Sequence, residues 1–473
     1  LYPLNLTLLN SFLQTSMLKG LRSRLCLFRF LPAIRYEVPM TRPIDRRGFL
    51  KQTAAVVGAS PIVGSRLFGA PAILRPGSAN ERLNIGIIGT ANRASENING
   101  VKGENIVAVC DIDDGYLAHA KEQFPAAQAF TDFRKLMDLN KLDAVVVSTP
   151  DHMHVPATVA ALKRGKHVYC EKPLSHSVWE SRYATKLAAE KKLATQLGTQ
   201  IHATDNYRRV VEHIRAGAIG KVNEVHVWVG KTWSGGERPK DEPPVPAGIH
   251  WDQWVGPAPM RPYHPAYMPG NWRRWWDFGS GTLGDMGCHY VDLPYWALSL
   301  TAPTRIEAQG PPPHPETTPE WMIVNYDFPA NGDRPPVKLA WYDGGPRPAL
   351  MKKPGMPDWG DGVLFVGDKG MLLADYGRLM LLPEASFQGF KPPEPSIPNS
   401  IGHYAEWIQA CKTGSPTTCS FDYSGPLTEA ILLGMVAFRA GKPITWDAAN
   451  MKCVGNPDAD KFIRRDYRAG WEL

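Results

Sequence analysis

From Leu83 onward, short β-branched runs alternate with amphipathic stretches of helical length. Asn84–Gly89 predicts a strand, Arg93–Val101 a helix and Asn105–Cys110 a second strand. Helices are expected at Asp113–Phe124, Asp132–Leu139, Pro156–Arg164 and Ser175–Lys191, with extended runs at Asp143–Ser148, His167–Cys170 and Ala194–Leu197. Strands separated by helices of this length imply right-handed βαβ units, hence a doubly wound parallel sheet.

The pattern changes after residue 200. A helix is expected from the glycine-rich run at Gly279 to about Leu300, and others at His403–Cys411 and Pro426–Arg439. Between them Thr304–Gln309, Trp321–Phe328, Val337–Tyr342, Gly362–Val366, Met371–Asp375 and Leu379–Leu382 suit a large antiparallel or mixed sheet. The stretch from Lys231 to Trp276, rich in Pro, Gly and Trp, reads as long loops. A chain of 473 residues is long for one core. Its expected division is an upstream extension over 1–39, a signal and linker over 40–80, a dinucleotide-binding domain over 81–200 and a substrate and oligomerisation domain over 201–473.

Charge changes this picture only at the front. The formal charge is +7, yet ten Arg and Lys from Arg22 to Arg75 precede residue 80, and the remainder is near neutral. No basic face for nucleic acid is indicated. Arg46-Arg47, then Phe49-Leu50, a mildly apolar stretch from Thr53 to Val63 and small residues near Ala70 and Ala72 resemble a twin-arginine export signal. That run is too short to span a bilayer, so a periplasmic protein is expected. Met40 stands just ahead of it, and 1–39 are therefore expected to be an upstream extension. The seven cysteines lack zinc-type spacing and suit small buried hydrophobes, although Cys411 and Cys419 are close enough for a short disulfide in an exported protein.

Candidate chemistry sits at the turns. Gly89-Thr90-Ala91-Asn92-Arg93-Ala94 occupies the place of G-x-G-x-x-G/A after the first strand, with Ala91 at the second glycine. Asp111, 22 residues after Gly89, stands where a carboxylate holds ribose hydroxyls and repels a 2′-phosphate. NAD is therefore expected over NADP, with Arg93 as the one guanidinium able to accept that phosphate. Ser148-Thr149-Pro150-Asp151-His152-Met153-His154 and Glu171-Lys172-Pro173 follow two further strands, so both loops should face the nicotinamide. His152 and His154 have no third ligand at metal spacing, and His154 is read as packing on the cofactor. In the glycine-led helix Asp285, His289 and Asp292 stand at i, i+4 and i+7, on one face. Polar groups so aligned among apolar residues must meet each other or a ligand. Trp272 and Arg274, within an aromatic cluster from Tyr263 to Trp276, are candidates to line a sugar cleft, with subunit packing as the alternative use of the same cluster.

With these motifs in this order, the chain resembles the Gfo/Idh/MocA oxidoreductases from about Arg82 to Leu473. The match rests on Glu171-Lys172-Pro173, on Gly281-x-x-x-Asp285-x-x-x-His289 with Asp292 beyond, and on Gly198-Thr199-Gln200. The resemblance implies a Rossmann domain followed by an α/β domain on a large open, mainly antiparallel sheet, and a homodimer or homotetramer. It also implies that Lys172, Asp285 and His289 are the catalytic group and that Gln200 belongs to the cofactor side. The expected reaction is hydride transfer between a tightly bound NAD and a hydroxyl-bearing carbon of a sugar or cyclitol. His289 would be the base, Lys172 its electrostatic partner, and Asp285 the residue that orients it or holds a substrate hydroxyl, with Asp292 binding another. The alternative is a redox-assisted glycoside hydrolase or lyase without net cofactor turnover.

Overall fold

The computed structural model describes residues 82–473; the expected export signal and the residues before it lie outside them. Six parallel strands form the first sheet: β1 (Asn84–Ile88), β2 (Asn105–Cys110), β3 (Gln128–Phe130), β4 (Ala144–Val147), β5 (His167–Cys170) and β6 (Thr195–Leu197). Their order is β3-β2-β1-β4-β5-β6, the doubly wound arrangement. The winding reverses between β1 and β4, which opens a crevice at the carboxyl ends of the central strands. β4 is buried along its whole length, as a parallel strand covered on both faces must be.

The helices of this layer are α1 (Ala94–Val101), α2 (Asp114–Gln123), α3 (Asp151–Lys163) and α4 (Val178–Lys191), with a shorter one at Phe133–Leu136. α3 starts five residues ahead of the Pro156 start expected from sequence. Proline normally leaves the carbonyl four residues back without a partner. Here that carbonyl belongs to His152 and accepts Arg465 Nη2 at 2.6 Å, so the helix runs through Pro156. Ser177 caps α4 with the reciprocal Ser177–Glu180 box, which moves the expected start at Ser175 to Val178.

The second sheet has nine strands: β7 (Val222–Trp228), β8 (Arg305–Gln309), β9 (Met322–Phe328), β10 (Val337–Asp343), β11 (Gly362–Gly367), β12 (Gly370–Ala374), β13 (Leu379–Leu382), β14 (Ile444–Asp447) and β15 (Lys452–Val454). Their order is β13-β12-β11-β7-β10-β9-β8-β14-β15. β7 and β10 run parallel and the other described pairs antiparallel. α5 (Asp205–Arg215), α6 (Gly281–Tyr290), α7 (Asp292–Ala297) and α9 (Phe421–Ala440) accompany it, while α8 (His403–Thr413) packs on the first layer, its Trp407 sharing a core with Ile85 and Ile98. Tyr207, Leu283, Leu293 and Ile431 from four of these helices share one core with Val225, Val324, Leu339 and Phe365 of the sheet. On the opposite face Trp228, Leu364 and Leu373 pack beneath half-buried Tyr342, Met351 and Met380. α9 returns to the first layer, where Glu429 accepts Arg182 Nε of α4 at 2.8 Å and the Gly425 carbonyl accepts Ser181 Oγ at 2.9 Å.

Two further expectations change. The helix expected to run to Leu300 is instead the pair α6 and α7, joined at Val291. Cys411 and Cys419 are both buried free thiols, so no disulfide joins them.

Candidate active site

The first half of the site is the turn after β1. Gly89 has φ +81°, and a Cβ there would lie 2.6 Å from the Ser148 carbonyl oxygen. Only glycine brings the β1 and β4 turns this close. α1 then starts without a side-chain cap, the N–H groups of Ala94, Ser95 and Glu96 closing the turn onto the carbonyls of Ala91, Asn92 and Arg93. Asp111 Oδ2 accepts the Thr90 main-chain N–H at 2.8 Å and its hydroxyl at 2.9 Å, fastening the end of β2 to this turn. Burial pushes the Asp111 carboxyl above its usual range, against those hydrogen bonds, which pull it down. Asn92 takes a left-handed conformation, φ 56°, in the same turn.

A cleft runs from this turn past Asp111, the Ser148–Pro150 loop and Trp272 to Arg273. Gly89, Thr90, Ala91, Asn92, Arg93, Ser148, Thr149 and Pro150 all line it. The close-packed Gly89, the uncapped helix start and the carboxylate at the end of β2 fit a dinucleotide. Arg93 is already engaged, with Nη1 at 2.6 Å from Glu96 and Nε at 3.3 Å from Glu171.

The second half is the contact between the loop after β5 and α6. Lys172 Nζ lies 2.7 Å from Asp285 Oδ1 and 2.6 Å from the main-chain oxygen of the same residue. Arg273 Nε reaches Oδ1 at 3.0 Å, while Lys231 Nζ and Trp233 Nε1 reach Oδ2 at 2.8 and 2.7 Å. Burial alone would raise the Asp285 carboxyl, but the cations of Lys172, Arg273 and Lys231 hold it well below the usual carboxylate range. Gly279 lets Arg273 come this near, because a Cβ at Gly279 would stand 2.5 Å from the Arg273 Cα.

His289 follows one turn later on α6. Among the described residues its buried Nδ1 has no hydrogen-bond partner. Burial first, and then the Lys172 charge, push its imidazole down to about 3, so it is neutral. Asp151, the first residue of α3, lies in the same field. Burial raises its carboxyl to about 7, with Arg273 and Lys172 pulling it down.

Two sequence profiles match this architecture. The one described as an oxidoreductase family with an NAD-binding Rossmann fold matches residues 83–199, and that of the same family's C-terminal α/β domain matches 212–334. Together they span just over half of the chain. The protein belongs to the Gfo/Idh/MocA oxidoreductase family.

Among curated relatives, the α-N-acetylgalactosaminidase of Tannerella forsythia is 35% identical over 144 residues, covering 25% of this chain and 31% of the relative. The inositol 2-dehydrogenase of Rubrobacter xylanophilus is 32% identical over 147 residues, covering 30% of this chain and 42% of its own. The chain thus spans about a third to two fifths of the length of these relatives. In fold it is similar to the WlbA dehydrogenase of Bordetella pertussis, solved with NADH and UDP-GlcNAcA. That match has a TM-score of 0.56 at 16% identity and covers 78% of this chain and 99% of that one.

Lys172, Asp285 and His289, the group read from the sequence motifs, come together here, and of the three Asp285 is the one whose contacts differ from the role expected of it. Asp285 does not orient His289; both its oxygens are taken by Lys172, Arg273, Lys231 and Trp233. Asp292 is fully buried and accepts His202 Nδ1 at 2.9 Å and the Tyr423 hydroxyl at 2.6 Å. It heads α7, two turns beyond Asp285 and beneath other elements, with both its oxygens taken by His202 and Tyr423. Arg273 rather than Arg274 lines the cleft and meets Asp285; the Arg274 carbonyl instead accepts Thr318 N–H at 2.9 Å. Consecutive residues of the short 3₁₀ turn Asn271–Arg274 point different ways, which spacing alone does not reveal.

On the cofactor side His154 is a brace. Its ring nitrogens lie 2.6 Å from the Pro173 carbonyl and 2.8 Å from that of Thr149, so it ties the two loops together instead of packing on the cofactor. Gln200 donates to the Tyr169 hydroxyl at 2.8 Å and to Glu171 at 3.0 Å, and so supports Glu171, itself buried, from behind. Sequence reasoning missed Arg273, Lys231, Trp233 and Asp151. The only signal for them was their place in loops already suspected of facing the ligand.

Proposed function

We propose that the protein is a nicotinamide-dependent dehydrogenase of a sugar or cyclitol, with Lys172 and His289 acting on the reacting hydroxyl. The observation that carries this reading is the Lys172–Asp285 pair beside a neutral His289 with an unpartnered Nδ1, on a helix whose neighbouring Arg273 lines the dinucleotide cleft. NAD, held by the Gly89–Arg93 turn, Asp111 and Ser148–Pro150, would supply the hydride acceptor. NAD is preferred to NADP because the Asp111 carboxylate opposes a 2′-phosphate and Arg93 is already paired with acids.

Oxidation of a hydroxyl-bearing carbon needs the hydroxyl proton removed as hydride leaves. The neutral His289 imidazole accepts that proton, and the Lys172 ammonium stabilises the negative charge that develops on the oxygen. Asp285, saturated with cations, holds Lys172 in place. It is a positioning residue.

Export by the twin-arginine route to the periplasm belongs to the same reading, supported by Arg46-Arg47 and the apolar stretch behind them. A cofactor carried out in the folded protein would be reoxidised in place by a second carbonyl substrate, so that one sugar is oxidised as another is reduced. Self-association into a dimer or tetramer would cover the half-buried Tyr342, Met351 and Met380 on the sheet's outer face. The second reading, redox-assisted glycoside cleavage, is favoured by the 35% identity to the Tannerella enzyme over its matched segment. Purified protein incubated with free sugars and cyclitols, and separately with glycosides, separates the two. Net nicotinamide reduction by a free sugar supports the dehydrogenase, whereas aglycone release without net reduction overturns it.

A further inference from the structure

Three cations face one ionised carboxylate at Asp285, and a second acid beside them, Asp151, is only partly ionised at neutral pH because burial raises it to about 7. The site therefore carries surplus positive charge. Lys172 is the inner cation, with a side chain 11% exposed. Arg273 at 24% and Lys231 at 44% are the outer ones, open to an incoming ligand.

Hydrogen-bonding capacity is unbalanced in the same sense. A sugar hydroxyl both donates and accepts, whereas a carboxylate or phosphate only accepts. Apart from His289, which takes the reacting hydroxyl, the carboxylate acceptor Asp285 is already filled by four donors, while an ammonium has three N–H groups and a guanidinium five. The Trp233 ring beside Asp285 is covered by cations too. Lys231 Nζ lies 5.0 Å and the Arg273 guanidinium 5.3 Å from the Trp233 ring centroid.

We propose that the substrate is an acidic sugar, whose carboxylate or phosphate is bound by Lys231 and Arg273; this rests on the dehydrogenase reading of the same site. The anion does a second job. Lys172 and Lys231 help burial to depress the His289 imidazole, and negative charge placed among those cations opposes them and makes the base stronger in the complex. Lys231 and Arg273 thus determine specificity through turnover as well as affinity.

The test is calorimetric titration of NADH-loaded full-length protein with matched pairs: glucose and glucuronate, galactose and galacturonate, glucose and glucose 6-phosphate. At least one acidic member should bind about tenfold or more tightly than its neutral partner. That advantage should fall as salt is raised and shrink toward unity in K231Q and R273Q, each checked for an unchanged circular dichroism spectrum. The carboxylate and phosphate arms tell the two anions apart. If no acid binds more tightly than its partner, including the case in which nothing binds, the inference is overturned. It is overturned equally if the preference survives in both variants. Binding does not require turnover, so the two readings fail separately. A neutral sugar that reduces NAD, with no acidic preference, removes this inference alone, whereas a tightly bound acid without hydride transfer removes the dehydrogenase reading.

Discussion

Lys172 holds Asp285 twice, donating to its side-chain Oδ1 at 2.7 Å and to its main-chain oxygen at 2.6 Å. One ammonium thereby fixes both the carboxylate and the backbone of α6 against the loop after β5. Removing either partner has unequal consequences. In Lys172→Met the carboxylate keeps Arg273, Lys231 and Trp233, so the fold should survive. Turnover should fall by about 10²-fold or more, with NAD affinity changed only a few-fold. Asp285→Asn leaves three cations facing one another and should lose about 3–5 kcal/mol in urea unfolding, well beyond Lys172→Met. Equal loss of stability in the two variants would contradict the saturated-carboxylate geometry.

Asp111 fastens the glycine turn through Thr90 and presents its carboxylate to the cleft. Asp111→Ala should weaken NAD binding by about tenfold or more while leaving NADP less affected, narrowing the gap between them. Fluorescence titration with the two reduced cofactors reads this directly. A uniform loss for both would assign Asp111 to the turn alone.

Buried histidines set the acid limb of stability. His152 lies between the carbonyls of Trp254, at 2.8 Å, and Phe278, at 3.3 Å, and burial pushes it down to about 3. The unfolded imidazole titrates near 6.5, so between these values the unfolded chain binds the extra proton. Its contribution is complete above about pH 6.5 and is lost as pH falls toward 3. Thermal midpoints taken across this range should fall on acidification, and less steeply in His152→Gln.

Asp343 gives the opposite sign. Burial lifts its carboxyl to about 7, against the hydrogen bond it accepts from Trp341 Nε1 at 2.7 Å. The folded form then binds the proton that the unfolded form releases near pH 4, so stability falls as pH rises from there to about 7 and levels off above. The stability gained by Asp343→Asn should grow over the same interval. A gain independent of pH would place the ionised carboxylate in the native state.

Much of this architecture is legible in the sequence because burial imposes a period. Alternation along Met322–Phe328, with every second residue facing the core, marks β9 directly, and the glycine turn with Asp111 marks the dinucleotide cleft. Other parts leave no such trace. β7 (Val222–Trp228) is buried on both faces over its last four residues, and β14 and β15 are only four and three residues long. The i, i+4, i+7 spacing predicts one helical face for Asp285, His289 and Asp292, but the helix is interrupted before Asp292, and spacing cannot say what packs on either part. The covering elements are Lys172, Lys231 and Arg273 at one end and His202 and Tyr423 at the other.

Asp292 makes that distinction testable. Because it accepts from His202 and Tyr423 in a fully buried position, Asp292→Ala should cost about 3–5 kcal/mol of stability. KM for the substrate of the surviving folded protein should stay within a few-fold of wild type. A large rise in KM with unchanged stability would return Asp292 to the substrate site.

Hydride transfer itself is tested most directly with a sugar or cyclitol deuterated at the reacting carbon. The account predicts that the label appears in the reduced nicotinamide, with net accumulation of reduced cofactor, and that Lys172→Met slows its appearance by about 10²-fold or more. Loss of the label to solvent, with cleavage of a glycoside and no net reduction of the cofactor, would contradict it.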